Sequence, residues 1–188
     1  MIDVSFGVRH STVLKVSLLL AVAVTLIGCH SVKPTTSRGG KNLFETFYVG
    51  EEGTQYFIKP LTMSNKESKE EVLIDFTFRY KDRIQDSATV NFTILSSDIY
   101  KALDRLAISN TSDKTTTDQV KLLFNEKTKK GFKSRFSTRL PLVDVKKIFD
   151  HSDWNFVVST PDQTVTFVPN KKNQKKINSL RDGVFVIM

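Results

Sequence analysis

The stretch Val72-Leu73-Ile74-Asp75-Phe76-Thr77-Phe78-Arg79 decides the fold class. Val72, Ile74, Phe76 and Phe78 alternate with Leu73, Asp75, Thr77 and Arg79. A period of two sends the first set to one face of a strand and the second set to the other. The β-branched and aromatic residues suit a pleated, half-buried surface. The pattern returns at Val90, Phe92 and Ile94, which alternate with Asn91, Thr93 and Leu95. It recurs less cleanly around Phe132, Arg135 and Phe136. Phe156 and Val158 precede the turn signal Pro161-Asp162, after which Val165 and Phe167 resume it. Of the 14 phenylalanines all but Phe6 lie beyond residue 28, many of them in these segments, so a sheet-built core is expected.

Three stretches have helical signals. Ser97-Asp98 offers a cap for a helix with the apolar face Ile99, Ala102, Leu103 and Leu106. Pro141 suits a first helical position, followed by Val145, Ile148 and Phe149. Asn170 can cap a helix from Lys171 to Leu180 that buries Ile177 and Leu180 and exposes its lysines. Val184-Phe185-Val186-Ile187-Met188 looks like an apolar strand that must be paired or covered. Polar stretches at 64–70 and 109–118 are expected to be exposed loops. Strand, strand, helix at about 71–106, 120–149 and 154–180 suggests a weak repeat without repeated identities. The expected class is α+β and β-rich: an antiparallel sheet or β-sandwich with two or three short helices.

The first residues are of another kind. Residues 1–15 carry Arg9 and Lys15 against Asp3, and Val16 to Ile27 are apolar except for Ser17 and Thr25. A positive flank followed by a short apolar run is the order of a secretory signal. The run falls short of the about 20 apolar residues a spanning helix needs. It closes on Leu26-Ile27-Gly28-Cys29, which holds the only cysteine of the chain. These residues resemble the lipobox of bacterial lipoproteins. The resemblance implies that residues 1–28 are a cleaved signal peptide and that Cys29 is the lipidation site. Its thiol would carry diacylglycerol and its freed amine an acyl chain. One chain binds a membrane marginally and two or more hold firmly, so Cys29 would anchor the protein. His30, rather than Asp, follows the cysteine, which in the enterobacterial sorting pattern points to the outer membrane.

Residues 29–42 then comprise the lipidated cysteine and a flexible tether broken by Pro34, Gly39 and Gly40. Residues 43–188 form one β-rich domain. Without residues 1–28 the chain keeps 26 Lys+Arg (28 less Arg9 and Lys15) and 19 Asp+Glu (20 less Asp3), a net charge of +7. A basic balance favours acidic partners: lipid headgroups, an anionic polymer or nucleic acid. Export makes nucleic acid the least suitable of these. A lipidated Cys29 leaves no thiol for a disulfide, a metal or a nucleophile.

Two basic clusters are the most suggestive polar features. Lys127, Lys129, Lys130, Lys133 and Arg135 surround Gly131 at what looks like a hairpin tip or the start of a strand. Lys171, Lys172, Lys175 and Lys176 form the second. Both suit a solvated face or contact with an anionic surface. His151-Ser152-Asp153 holds the residue types of a hydrolase triad, but triad groups converge from separated positions, so a turn is expected there. Beyond residue 28 the chain has only His30 and His151, too few for a histidine metal site. No catalytic residue, metal site or cofactor is therefore assigned, and the chain is not expected to be an enzyme. The expected function is a lipid-anchored envelope module that binds a membrane through Cys29 and an envelope protein or anionic polymer through its domain. The alternatives are an envelope hydrolase with a scattered active site and a purely structural or inhibitory module.

Overall fold

The alternation in the sequence becomes long antiparallel ladders in the computed structural model, which describes residues 43–82 and 86–188. The expected signal peptide 1–28, Cys29 and the expected tether to residue 42 lie outside the described residues. The strands are β1 (Phe44–Tyr48), β2 (Thr54–Ser64), β3 (Glu71–Tyr80), β4 (Ser87–Ser96), β5 (Arg105–Ser109), β6 (Lys114–Thr117), β7 (Lys121–Thr128), β8 (Gly131–Pro141), β9 (Asn155–Ser159) and β10 (Thr164–Pro169). Helix α1 spans Leu142–Phe149 and α2 spans Lys171–Leu180, followed by a π-helical turn at Arg181–Phe185. The strand order is β6-β5-β9-β10-β2-β3-β4-β8-β7, with β1 also pairing β2, and the class is α+β and β-rich.

Register follows the alternation. Leu61, Ile74, Phe92, Phe136 and Leu122 face one another in turn across β2, β3, β4, β8 and β7. The first four are buried and Leu122 packs against them. Four places separate β9 from β4 in the order, which in a flat sheet is about 19 Å. Yet the rings of Phe156 on β9 and Phe92 on β4 lie 5.1 Å apart, edge to face. The sheet therefore curls over its own apolar face. Phe149 of α1, Trp154 and Phe185 fill one end, with Phe149 4.6 Å from Trp154 and 4.1 Å from Phe185 between ring centres.

A bulge in β2 lies where the strand changes partners. Between Ile58 and Leu61 the register against β3 shifts, so that Lys59 and Pro60 are accommodated while Ile58 and Leu61 both stay buried. Before the bulge β2 pairs β1, through Thr54 to Ile58, and after it β10, through Met63 and Ser64. Pro60, which has no N–H to offer, falls at the gap between these two partners.

Two helices arise where the sequence places them. Pro141 still pairs Ser87 as the end of β8, so α1 begins one residue later and buries Leu142, Val145, Ile148 and Phe149. Asn170 caps α2, accepting a hydrogen bond from the Asn173 N–H at 3.0 Å. The turn at His151 to Asp153 and the hairpin tip at Lys129-Lys130 also form as expected.

Four expectations are overturned. No helix forms at 97–106: Leu106 and Ile108 lie on β5, between β6 and β9. Their alternation found strand partners, while Tyr100 and Leu103 are buried singly from an irregular loop. Residues 184–188 form no strand. The chain leaves α2 without a breaker and keeps turning, and Phe185 stacks on Phe149. Within 109–118, Lys114–Thr117 is a strand. With no helix in its first unit, the suggested repeat fails as well.

Candidate functional site

One end of the sheet gathers four loops far apart in the chain: 65–70, 97–104, 129–130 and 160–163. Asn65 shapes the first, its Oδ1 accepting from the N–H groups of Glu67 (2.7 Å) and Ser68 (2.8 Å). Its Nδ2 donates to the Thr166 carbonyl of β10 at 2.9 Å. Tyr100 joins three of these loops. Its hydroxyl donates to the Glu70 carboxylate at 3.2 Å, and Gln163 Nε2 donates to that hydroxyl at 3.4 Å. The backbone N–H of Tyr100 donates to Ser134 Oγ of β8 at 3.1 Å. Burial first, then the charge of Glu70 and its hydrogen bond, push the Tyr100 phenol above its ordinary pKa. Tyr100 thus stays a proton donor near neutrality and acts as a tie, not as a base.

The tie separates two clefts. One, of about 640 Å³, lies between the β7–β8 hairpin and the 68–71 segment. Lys69, Lys129, Lys130 and Lys133 line it, interleaved with Glu70, Glu71 and Glu126. The other, of about 320 Å³, lies between Ile99, Tyr100 and Pro161.

The structure sorts the nine basic candidates into unlike groups. Lys129 and Lys130 are the two residues of the β7–β8 turn, closed by Thr128 opposite Gly131. Gly131 has a φ of +133°, and a Cβ there would stand 2.1 Å from the Ser96 carbonyl oxygen, so glycine is required. Lys133 pairs with Glu126 at 3.6 Å. Arg135 is held on the outer face of the sheet, donating to Asp75 at 2.8 Å and to Thr93 at 2.9 Å. Asn91 donates to the other Asp75 oxygen at 3.0 Å. Arg135 is therefore neutralised by its neighbour. Lys127 is exposed beside the tip. Lys171, Lys172 and Lys175 are exposed on α2 and Lys176 is half-buried; no salt bridge among the described residues holds any of them. Helix α2 packs on β2, β10 and α1, so β3 and β4 stand between its strand and the basic tip.

No family model, curated protein or solved structure matches this chain. Its chemistry therefore rests on its own geometry.

Sequence inspection missed two features. His151 does meet a hydroxyl, but that of Ser112, across 3.3 Å from the β5–β6 turn. Asp153 instead takes the Thr111 hydroxyl. Among the described residues no carboxylate holds the other ring nitrogen of His151, as an oriented triad requires. The second feature is β7, the last strand in the order. None of its residues is buried, and Leu123 and Phe124 are each 46% exposed. The run Leu122-Leu123-Phe124 marks an apolar segment in the sequence, but only strand order shows that it lies at the rim.

Proposed function

We propose that this is a lipid-anchored cell-envelope protein, held by Cys29 on the outer membrane, whose domain binds an envelope protein. The exposed Leu123-Phe124 pair on β7 carries the proposal. Two large apolar side chains, each about half exposed on an edge strand, leave apolar surface in water that a partner can bury. The neighbouring cleft adds charged groups of both signs, which suits the polar rim of a protein interface better than a purely anionic ligand. The bulge between Leu122 and Phe124 breaks the ladder and discourages indiscriminate strand addition. The partner therefore engages side chains rather than extending the sheet.

The test is a photoreactive residue at position 123 of the full chain in native membranes, with one at Ser179 on α2 as control. A discrete adduct from position 123, weakened by Phe124→Asp and absent from the control, is expected. Absence of an adduct at 123, or the same products from both positions, would remove the interface.

A further inference from the structure

We propose that α2 is the face that lies on the membrane carrying the anchor, its lysines contacting anionic phospholipid headgroups; this rests on the lipid-anchor proposal above. The two basic clusters look alike in the sequence, and the fold separates them. At the β7–β8 tip, Glu126 pairs Lys133, Asp75 pairs Arg135, and Glu70 and Glu71 line the same cleft. On α2, Lys171, Lys172, Lys175 and Lys176 stand within six residues, and the helix contains no acid. Lys171 and Lys172 also stand in the first turn, where the helix field is positive and cations are disfavoured. Folding of the domain does not call for them there; a negative surface outside it does.

The position of the chain entry agrees. The Leu43 carbonyl accepts from the Lys59 N–H of β2, the strand on which α2 packs. The next residue, Phe44, lies 3.9 Å from where a Cβ on Gly183 would stand, just past the end of α2. The chain from Cys29 thus enters the domain beside α2. Thirteen residues separate Cys29 from Leu43, and an unstructured chain of that length spans roughly 20 Å. That suffices to lay α2 against the headgroups once the lipid is inserted. Each lysine near such a surface is worth about a fivefold change in docking.

The full lipidated chain in vesicles provides the test. Ser179→Cys, or separately Thr128→Cys at the hairpin, accepts a fluorophore, since Cys29 is blocked by lipid. A headgroup-attached quencher then reports which face is down. Quenching at 179 is expected in vesicles with about one-third phosphatidylglycerol, with little at 128. It should fall at least tenfold in pure phosphatidylcholine, in about 0.5 M salt, and in Lys171→Gln/Lys172→Gln/Lys175→Gln/Lys176→Gln. Equal quenching at both positions, stronger quenching at 128, or no lipid dependence at 179 would overturn the assignment. Binding of the lysines to a soluble anionic polymer without quenching at 179 would overturn it too. The anchor is checked separately. Flotation with vesicles after a high-salt wash, lost in Cys29→Ser, depends on the lipid and not on α2.

Discussion

β4 and β7 both carry apolar side chains into one sheet, and they end in opposite situations. Six of the ten residues of β4 are buried, whereas none of the eight in β7 is. β4 is flanked by β3 and β8 and roofed by β9 through Phe156, while β7 has β8 on one side only. The same residue type therefore does different work by rank in the sheet. Phe92 holds the core together; Phe124 stays in solvent, available to a partner. Buried packing is concentrated at β4, and β7 leaves apolar side chains exposed at the rim.

The sharpest way to break this contrast is Phe92→Ala. Phe92 is fully buried and touches both Phe136 and Phe156, at 5.4 Å and 5.1 Å between ring centres. Truncation should cost about 3–5 kcal/mol in urea unfolding; a cost near that of a surface change would mean the curl is not packed as described. Gly131→Ala follows. Its positive φ and the Ser96 carbonyl in its way should cost at least about 2 kcal/mol. That would exceed any truncation of a β7 side chain.

Alkaline titration sharpens the contrast at an intermediate level. Burial, and then the Glu70 charge, raise the Tyr100 pKa; burial, and then Tyr80, raise that of Tyr56. Both phenols sit above their unfolded value of about 10. Their contribution is therefore complete below that pH and is lost as pH climbs through the folded values. Stability should decline above about pH 10, and Tyr100→Phe should shallow that decline while costing about 1 kcal/mol at neutral pH. A decline unaltered by the substitution would show that Tyr100 is not buried against Glu70.

The Asp75–Arg135 pair, partly open to solvent, should show a coupling of about 0.5–1 kcal/mol in a double-mutant cycle. The smallest effect belongs to the rim: Phe124→Asp should leave stability within about 0.5 kcal/mol while weakening the crosslink from the photoreactive residue at position 123. Loss of stability comparable to Phe92→Ala would place β7 in the core and erase the contrast.

Much of the fold is legible because alternation is local. Val72 to Phe78 and Val90 to Ile94 announce their strands, and Asn170 and Pro141 mark α2 and α1 within one residue. Residues 97–109 mislead, since Leu103 and Leu106 satisfy a helical spacing while Leu106 and Ile108 satisfy a strand's. Only β6 and β9 settle the choice. Residues 184–188 mislead for the converse reason: apolar content suggests a strand, but Phe149 rewards a continued turn that packs Phe185 against it. At the candidate site the sequence shows the basic residues but not their partners. Arg135 and Asp75 are 60 positions apart, and Tyr100 and Glu70 are 30.

By itself the sequence determined the strand alternation, the Asn170 cap, the hairpin turn and the lipobox resemblance at Cys29. Each depends on residues within a few positions, where backbone geometry alone relates side chains. Tertiary structure decided that β4 is central and β7 is at the rim, that Arg135 is neutralised, and that the lysines of α2 have no acidic partner among the described residues. Burial and ion pairing are set by which distant segments share a surface, and no local pattern encodes that.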